Sequence, residues 1–129
     1  MPRRASELLA LRAAWNCRSE FEWGHHAGYA RAAGLSDAEI GAVAEGPAAP
    51  GWSDEDRALL VAADELHGQK KLTDFTWTAL ASRWSAAQLV EIPFVVGQYT
   101  MLSMVAGALQ VPLEDGLARL PRDPGAAES

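Results

Sequence analysis

The run Ser19-Glu20-Phe21-Glu22-Trp23-Gly24-His25-His26 brings two carboxylates and two imidazoles together within eight residues. On a helix, Ser19, Glu22 and His26 fall at i, i+3 and i+7 on one stripe, while Phe21 and His25 lie four apart on a different one. A carboxylate one turn before an imidazole can orient the ring and favour its protonated form, which is what a general acid or proton shuttle needs. The same spacing also describes an exposed Glu–His pair worth about 0.2–0.5 kcal/mol. Glu7 precedes Ser19 by one helix length, so a helical hairpin can bring it to the same pocket; a solvated carboxylate at a helix start is the alternative. Gln98 and Tyr99 interrupt an apolar run, and buried polar groups need partners. They either line a pocket or bridge helices or subunits.

Other chemistries find less support. Adjacent His25 and His26 project about 100° apart on a helix and cannot easily share an ion, and no third ligand stands at a recognised spacing. His67 is distant and sits just before Gly68, where an imidazole suits the free carbonyls of a helix end. No metal and no cofactor are therefore expected. The single cysteine, Cys17, excludes an internal disulfide and a CxxC redox pair. It reads as a small packed hydrophobe or a lone thiol.

The elements that must position these residues read as all-α. No stretch sustains period-2 alternation, whereas 3.6-residue periodicity recurs. Ser6 to Trp15 places Leu8, Leu11 and Trp15 on one face. A second helix spans Ser19 to Ala33 and stops at Gly34. Ser36-Asp37-Ala38-Glu39 is a capping box for a short helix ending near Gly46, and Ser53 caps a fourth that buries Leu59, Ala62, Ala63 and Leu66 and ends at Gly68. A fifth, from Thr73, is expected to bury Trp77, Leu80, Ala81 and Trp84. Ser85-Ala86-Ala87-Gln88 opens the last, in which Pro93 either makes a kink or begins a new helix.

The chain has 129 residues, enough for one domain, taken as 1–120 with a disordered tail over 121–129. Being 49% hydrophobic with five tryptophans, it can form a core. A net charge of −6 excludes the basic footprint of a nucleic-acid binder or an anchor to anionic membranes. Ile92 to Leu113 carries no formal charge and is long enough to span a bilayer. It is nevertheless interrupted by Pro93, Gln98, Thr100 and Gln110, and flanked by Glu91 and Glu114 rather than by Lys or Arg, so a central core helix or a subunit interface is expected. Arg3 and Arg4 are followed by Glu7 and Arg12 rather than by an apolar leader, and a cytoplasmic location is expected.

In order and spacing, the pieces Glu7-Leu8-Leu9-Ala10-Leu11-Arg12, Ser19-Glu20-Phe21-Glu22-Trp23 with His26, Ala33-Gly34-Leu35-Ser36-Asp37-Ala38-Glu39-Ile40, Asp64-Glu65-Leu66-His67 and Val96-Gly97-Gln98-Tyr99-Thr100-Met101-Leu102 make the sequence resemble the carboxymuconolactone decarboxylase family, which includes the alkylhydroperoxidase D-like proteins. The likeness covers Glu7 to roughly Glu114. It implies an alkylhydroperoxidase D-like helical bundle that assembles as a homo-trimer or homo-hexamer, with the pocket near a subunit contact. The peroxidase branch carries C-x-x-C-x-x-x-H with an upstream glutamate. Here Ser19 and Glu22 stand at the cysteine positions, His26 at the histidine and Glu7 at the glutamate, while Cys17 falls two positions early. Without a thiolate pair, thiol peroxidase activity is expected to be absent. Related chains commonly carry further helical sequence ahead of the Glu7 segment, so a lid or pocket wall is expected to be missing.

The resemblance thus implies an enzyme of the decarboxylase type: cofactor-free decarboxylation or proton transfer on a small lactone or enolisable carboxylate, with Glu7, Glu22 and His26 catalytic. Ser19, Trp23, Gln98 and Tyr99 are expected to meet the substrate. Arg12 either binds its anion or is a solvated helix charge. His25, on the neighbouring stripe, is expected to stand outside the chemistry. A non-catalytic oligomeric small-molecule binder on the same scaffold is the alternative.

Overall fold

A helix must find partners for the backbone N–H groups of its first turn, and five hydroxyl residues supply them here. In the computed structural model, which describes residues 1–121, Ser19, Ser36, Ser53, Thr73 and Ser85 each accept a bond from the backbone N–H three residues on. They open α2 (Glu20–Ala32), α3 (Asp37–Glu45), α4 (Asp54–Gln69), α5 (Asp74–Ala81) and α6 (Ala86–Ala108). At Ser36 and Ser85 the residue three on, Glu39 or Gln88, returns a bond to the cap backbone and completes a capping box. The remaining helix, α1 (Arg3–Asn16), follows Pro2 with no side-chain cap. No strand occurs among the described residues. The expected tail lies, beyond Pro121, outside them.

The centre of the bundle is α1, not the long apolar α6. It packs against α2, α3, α4 and α6. Its alanines make this possible: Ala5, Ala10, Ala13 and Ala14 are buried along with Leu8, Leu9, Leu11 and Trp15, so neighbours approach from nearly every side. By contrast α6 buries one stripe, Leu89, Ile92, Val96, Ser103 and Ala106, and only 28% of its most apolar stretch is covered. The apolar length that reads as a core helix is therefore two-faced. Pro93 sits inside α6 on its exposed side and does not begin a new helix.

Two other expectations change. Helix α4 runs past Gly68, and Lys70, at φ 64°, takes the left-handed position that ends it. Its N–H reaches the Leu66 carbonyl and its amine the His67 carbonyl. Along α5 the buried residues are Thr76 and Leu80, while Trp77 is 50% exposed and Ala81 is exposed. The Thr76 hydroxyl donates to Glu65 of α4 at 2.8 Å, which turns that face inward. Trp84 is buried by the turn beyond the helix.

After α6 the chain returns across α2. The Leu120 N–H donates to Glu20 at 2.9 Å, and Leu113 lies so close to Gly24 that a Cβ there would come within 2.6 Å of its methyl. A larger residue at position 24 would force Leu113 to shift and crowd the Ala118 carbonyl at 3.0 Å.

Candidate active site

The α1–α2 turn carries Arg18 at φ 54° and closes with the Ser19 N–H on the Ala14 carbonyl at 2.9 Å. Reversal there lays the first turns of α1 beside α2. Glu7 and His26 thereby meet: the ring Nδ1 and Glu7 Oε2 are 2.7 Å apart. The other ring nitrogen, Nε2, faces Glu22 Oε2 at 3.4 Å, one helical turn away. All three side chains are buried, with His26 4% exposed. A buried carboxylate requires a compensating partner, and here one imidazole serves two. The shorter contact identifies Glu7 as the group that orients the ring, with Glu22 the looser partner on the opposite edge. Because the two carboxylates address different ring edges, they do not converge on a common point. No cluster of three or more His, Cys, Asp or Glu able to hold a metal occurs among the described residues.

Aromatic rings wall this group. Tyr99, from α6, meets His26 edge-on with centroids 4.3 Å apart, and Tyr29 does so at 5.1 Å. An open cavity of about 470 Å³ lies above them, lined also by Arg3, Phe21, His25 and Gln98. Burial first, then the negative charges of Glu7 and Glu22, hold the Tyr99 phenol above its ordinary value, so the hydroxyl keeps its proton and remains a donor.

The family model for the carboxymuconolactone decarboxylase family matches residues 1–65, half of the chain. The chain belongs to the carboxymuconolactone decarboxylase family. That match contains Glu7, Glu22 and His26 and stops before Tyr99. No curated protein matches the chain. Among solved structures, the crystal structure of an Agrobacterium tumefaciens protein of unknown function, for which an antioxidant-defence AhpD role has been suggested, superposes with a TM-score of 0.80. It is 22% identical, and the alignment covers 86% of this chain and 77% of that one. The fold is thus the alkylhydroperoxidase D-like helical bundle.

Within this family member, the structure sorts the residues expected to meet substrate. Gln98 and Tyr99 line the cavity. Ser19 does not: it caps α2, accepting the Glu22 N–H at 3.2 Å, and borders a separate, smaller space beside Cys17 and Ser103. Trp23 is 1% exposed and packs edge-on against Trp15 in the core. Arg12 is also elsewhere. Its guanidinium pairs with Asp64 at 2.7 and 3.1 Å and donates to the Val43 and Ala44 carbonyls, tying α1 to α4 and to the end of α3. The cation is spent on structure and does not line the cavity.

Five lining residues are not among the site residues expected from the sequence: Arg3, Phe21, His25, Tyr29 and Leu102. Two signals were available. Tyr29 extends the Glu22–His26 stripe by one turn, and Arg3 lies one turn before Glu7 on the same face of α1. His25 lines the cavity from the neighbouring stripe of α2. Its ring lies tilted by 51° against Phe21 with centroids 4.6 Å apart, and its Nε2 is buried without a hydrogen bond, 3.6 Å from Glu114.

Proposed function

We propose that this family member catalyses cofactor-independent decarboxylation or a related proton transfer on a small lactone or enolisable carboxylate. The observation that supports it is the His26 imidazole held between Glu7 and Glu22 at the base of an open cavity. When a carboxylate leaves a conjugated ring acid as CO₂, its bonding pair moves through the ring to the carbonyl oxygen. A proton must then reach carbon while that oxygen is stabilised. His26 delivers the proton from Nε2, Glu7 fixes the ring through Nδ1, and Glu22 attends the transferring edge. The Tyr99 hydroxyl, still protonated, donates to the developing oxyanion. Solvent entering the cavity reprotonates His26 and completes the cycle. A homo-oligomer, trimer or hexamer, belongs to the same reading, because Gln98, Tyr99 and Leu102 place the cavity beside the uncovered face of α6.

The test is turnover of a butenolide acid. His26→Ala is expected to lower kcat by about 10²- to 10⁴-fold with the helical circular dichroism unchanged. Glu7→Gln should cost more than Glu22→Gln, since it neutralises the carboxylate that makes the shorter contact. Full turnover by His26→Ala overturns the acid–base reading and leaves the binding-protein alternative.

A further inference from the structure

The cavity wall includes a cation that nothing neutralises. Among the described residues, Arg4, Arg12, Arg31, Arg57 and Arg83 each pair with a carboxylate, Arg18 lies over the Trp15 ring, and the exposed Arg119 does not line the cavity. Arg3 has no such partner although it lines the cavity. It is exposed, whereas Glu7, Glu22 and His26 are buried, so the positive charge stands at the mouth and the acid–base group at the floor. The floor holds two carboxylates and one imidazole, and its net charge is negative even with the ring protonated. An anionic ligand is repelled from that end unless a cation holds it at the other. The start of α1 adds to the same sign, since its first turn carries no acidic residue and no side-chain cap.

We propose that Arg3 is the anion anchor of the site, its guanidinium holding a spectator carboxylate of a small acid while the ring carbon that receives the proton lies against His26. The planar guanidinium can take a carboxylate through two parallel bonds, which fixes orientation as well as affinity. The polarity of the cavity then sets specificity: carboxylates are accepted, and neutral amides or esters of the same skeleton bind without register. Which end faces inward rests on the proton-transfer reading of His26.

The experiment compares binding of 5-oxo-2,5-dihydrofuran-2-acetate and its primary amide, by calorimetry or ligand-observed NMR, to the full chain and to Arg3→Gln and Arg3→Lys. The wild type should prefer the acid by about 10- to 100-fold, the range of a charge-assisted hydrogen bond. Arg3→Gln should erase the preference by weakening the acid alone, and Arg3→Lys should restore part of it. No preference in the wild type, or an undiminished preference in Arg3→Gln, overturns the proposal. Binding is read without turnover, so the two readings fail separately. Activity that depends on His26 without an acid preference removes Arg3 only. An acid preference that depends on Arg3 without any turnover removes the acid–base reading only.

Discussion

At the scale of single residues, Tyr99 gives the sharpest check on the chemistry, because its place is set by a helix outside the segment that the family model matches. Tyr99→Phe keeps the ring against His26 and removes only the hydroxyl. It is expected to lower kcat by about 10²-fold, as removal of one oxyanion donor does, with little change in KM. Since burial and the two carboxylates raise the phenol above 10.0, the donor persists through neutral pH and is lost only as pH rises through that higher value. The stability term has the same sign: the folded state disfavours phenolate, so stability is intact below the ordinary phenol value and falls above it. Melting curves from about pH 8 to about pH 11 should show a steeper alkaline loss in the wild type than in Tyr99→Phe. Full kcat in Tyr99→Phe would remove the hydroxyl from the mechanism. Why some of this site is legible and some is not comes down to helical angle. Glu22 and His26 are visible because one helix carries both. Arg12, five residues after Glu7, is turned about 140° from it, whereas Arg3, four before, is turned about 40°. That arithmetic separates the structural cation from the one at the cavity, but the contact between Glu7 and His26 depends on how α1 packs on α2, which spacing alone does not specify.

At the scale of elements, local chemistry was readable wherever a side chain answers its own backbone. The caps at Ser36, Ser53, Thr73 and Ser85 stand where the spacing places them. The exceptions are ends and faces decided by tertiary contacts. Thr76 outranks Trp77 for the interior because Glu65 offers it a hydrogen bond, and hydrophobic spacing does not register a polar partner on another helix. The end of α4 is a second case, with a glycine available at 68 and the left-handed residue falling at Lys70 instead. A side chain with a Cβ is strained in that conformation, so Lys70→Gly is expected to stabilise the fold by about 0.5–1 kcal/mol, net of the added freedom of the unfolded chain. For a chain of this length that is a rise in Tm of about 2–3 °C. A fall in Tm would mean that the amine on the His67 carbonyl contributes more than the strain costs.

At the scale of the whole molecule, the open question is what covers α6. Val90, Phe94, Met101 and Val105 fall at i, i+4, i+11 and i+15 on one outward stripe and are 58%, 73%, 52% and 47% exposed. Glu91 is the last charged residue of the helix, and the following stretch offers water little but Gln98 and Thr100. Monomeric proteins rarely leave so continuous an apolar surface uncovered. The helix is long enough to cross a bilayer, yet its inner stripe is already committed to α1 and α4, and Tyr99 on it completes the His26 wall. Leaving for a membrane would open both the core and the cavity. A second copy of the chain presents the same uncharged stripe and can cover it without disturbing either. Light scattering at micromolar concentration is therefore expected to show an assembly larger than one chain. Phe94→Glu, which places a carboxylate in the middle of the stripe and touches nothing buried, should return it to a monomer with unchanged helical content. Because Gln98 and Leu102 stand between that stripe and the cavity, the monomeric variant should also lose turnover of the butenolide acid. A wild-type monomer would sink the assembly, and a monomeric Phe94→Glu with full activity would show that the cavity is complete within one chain.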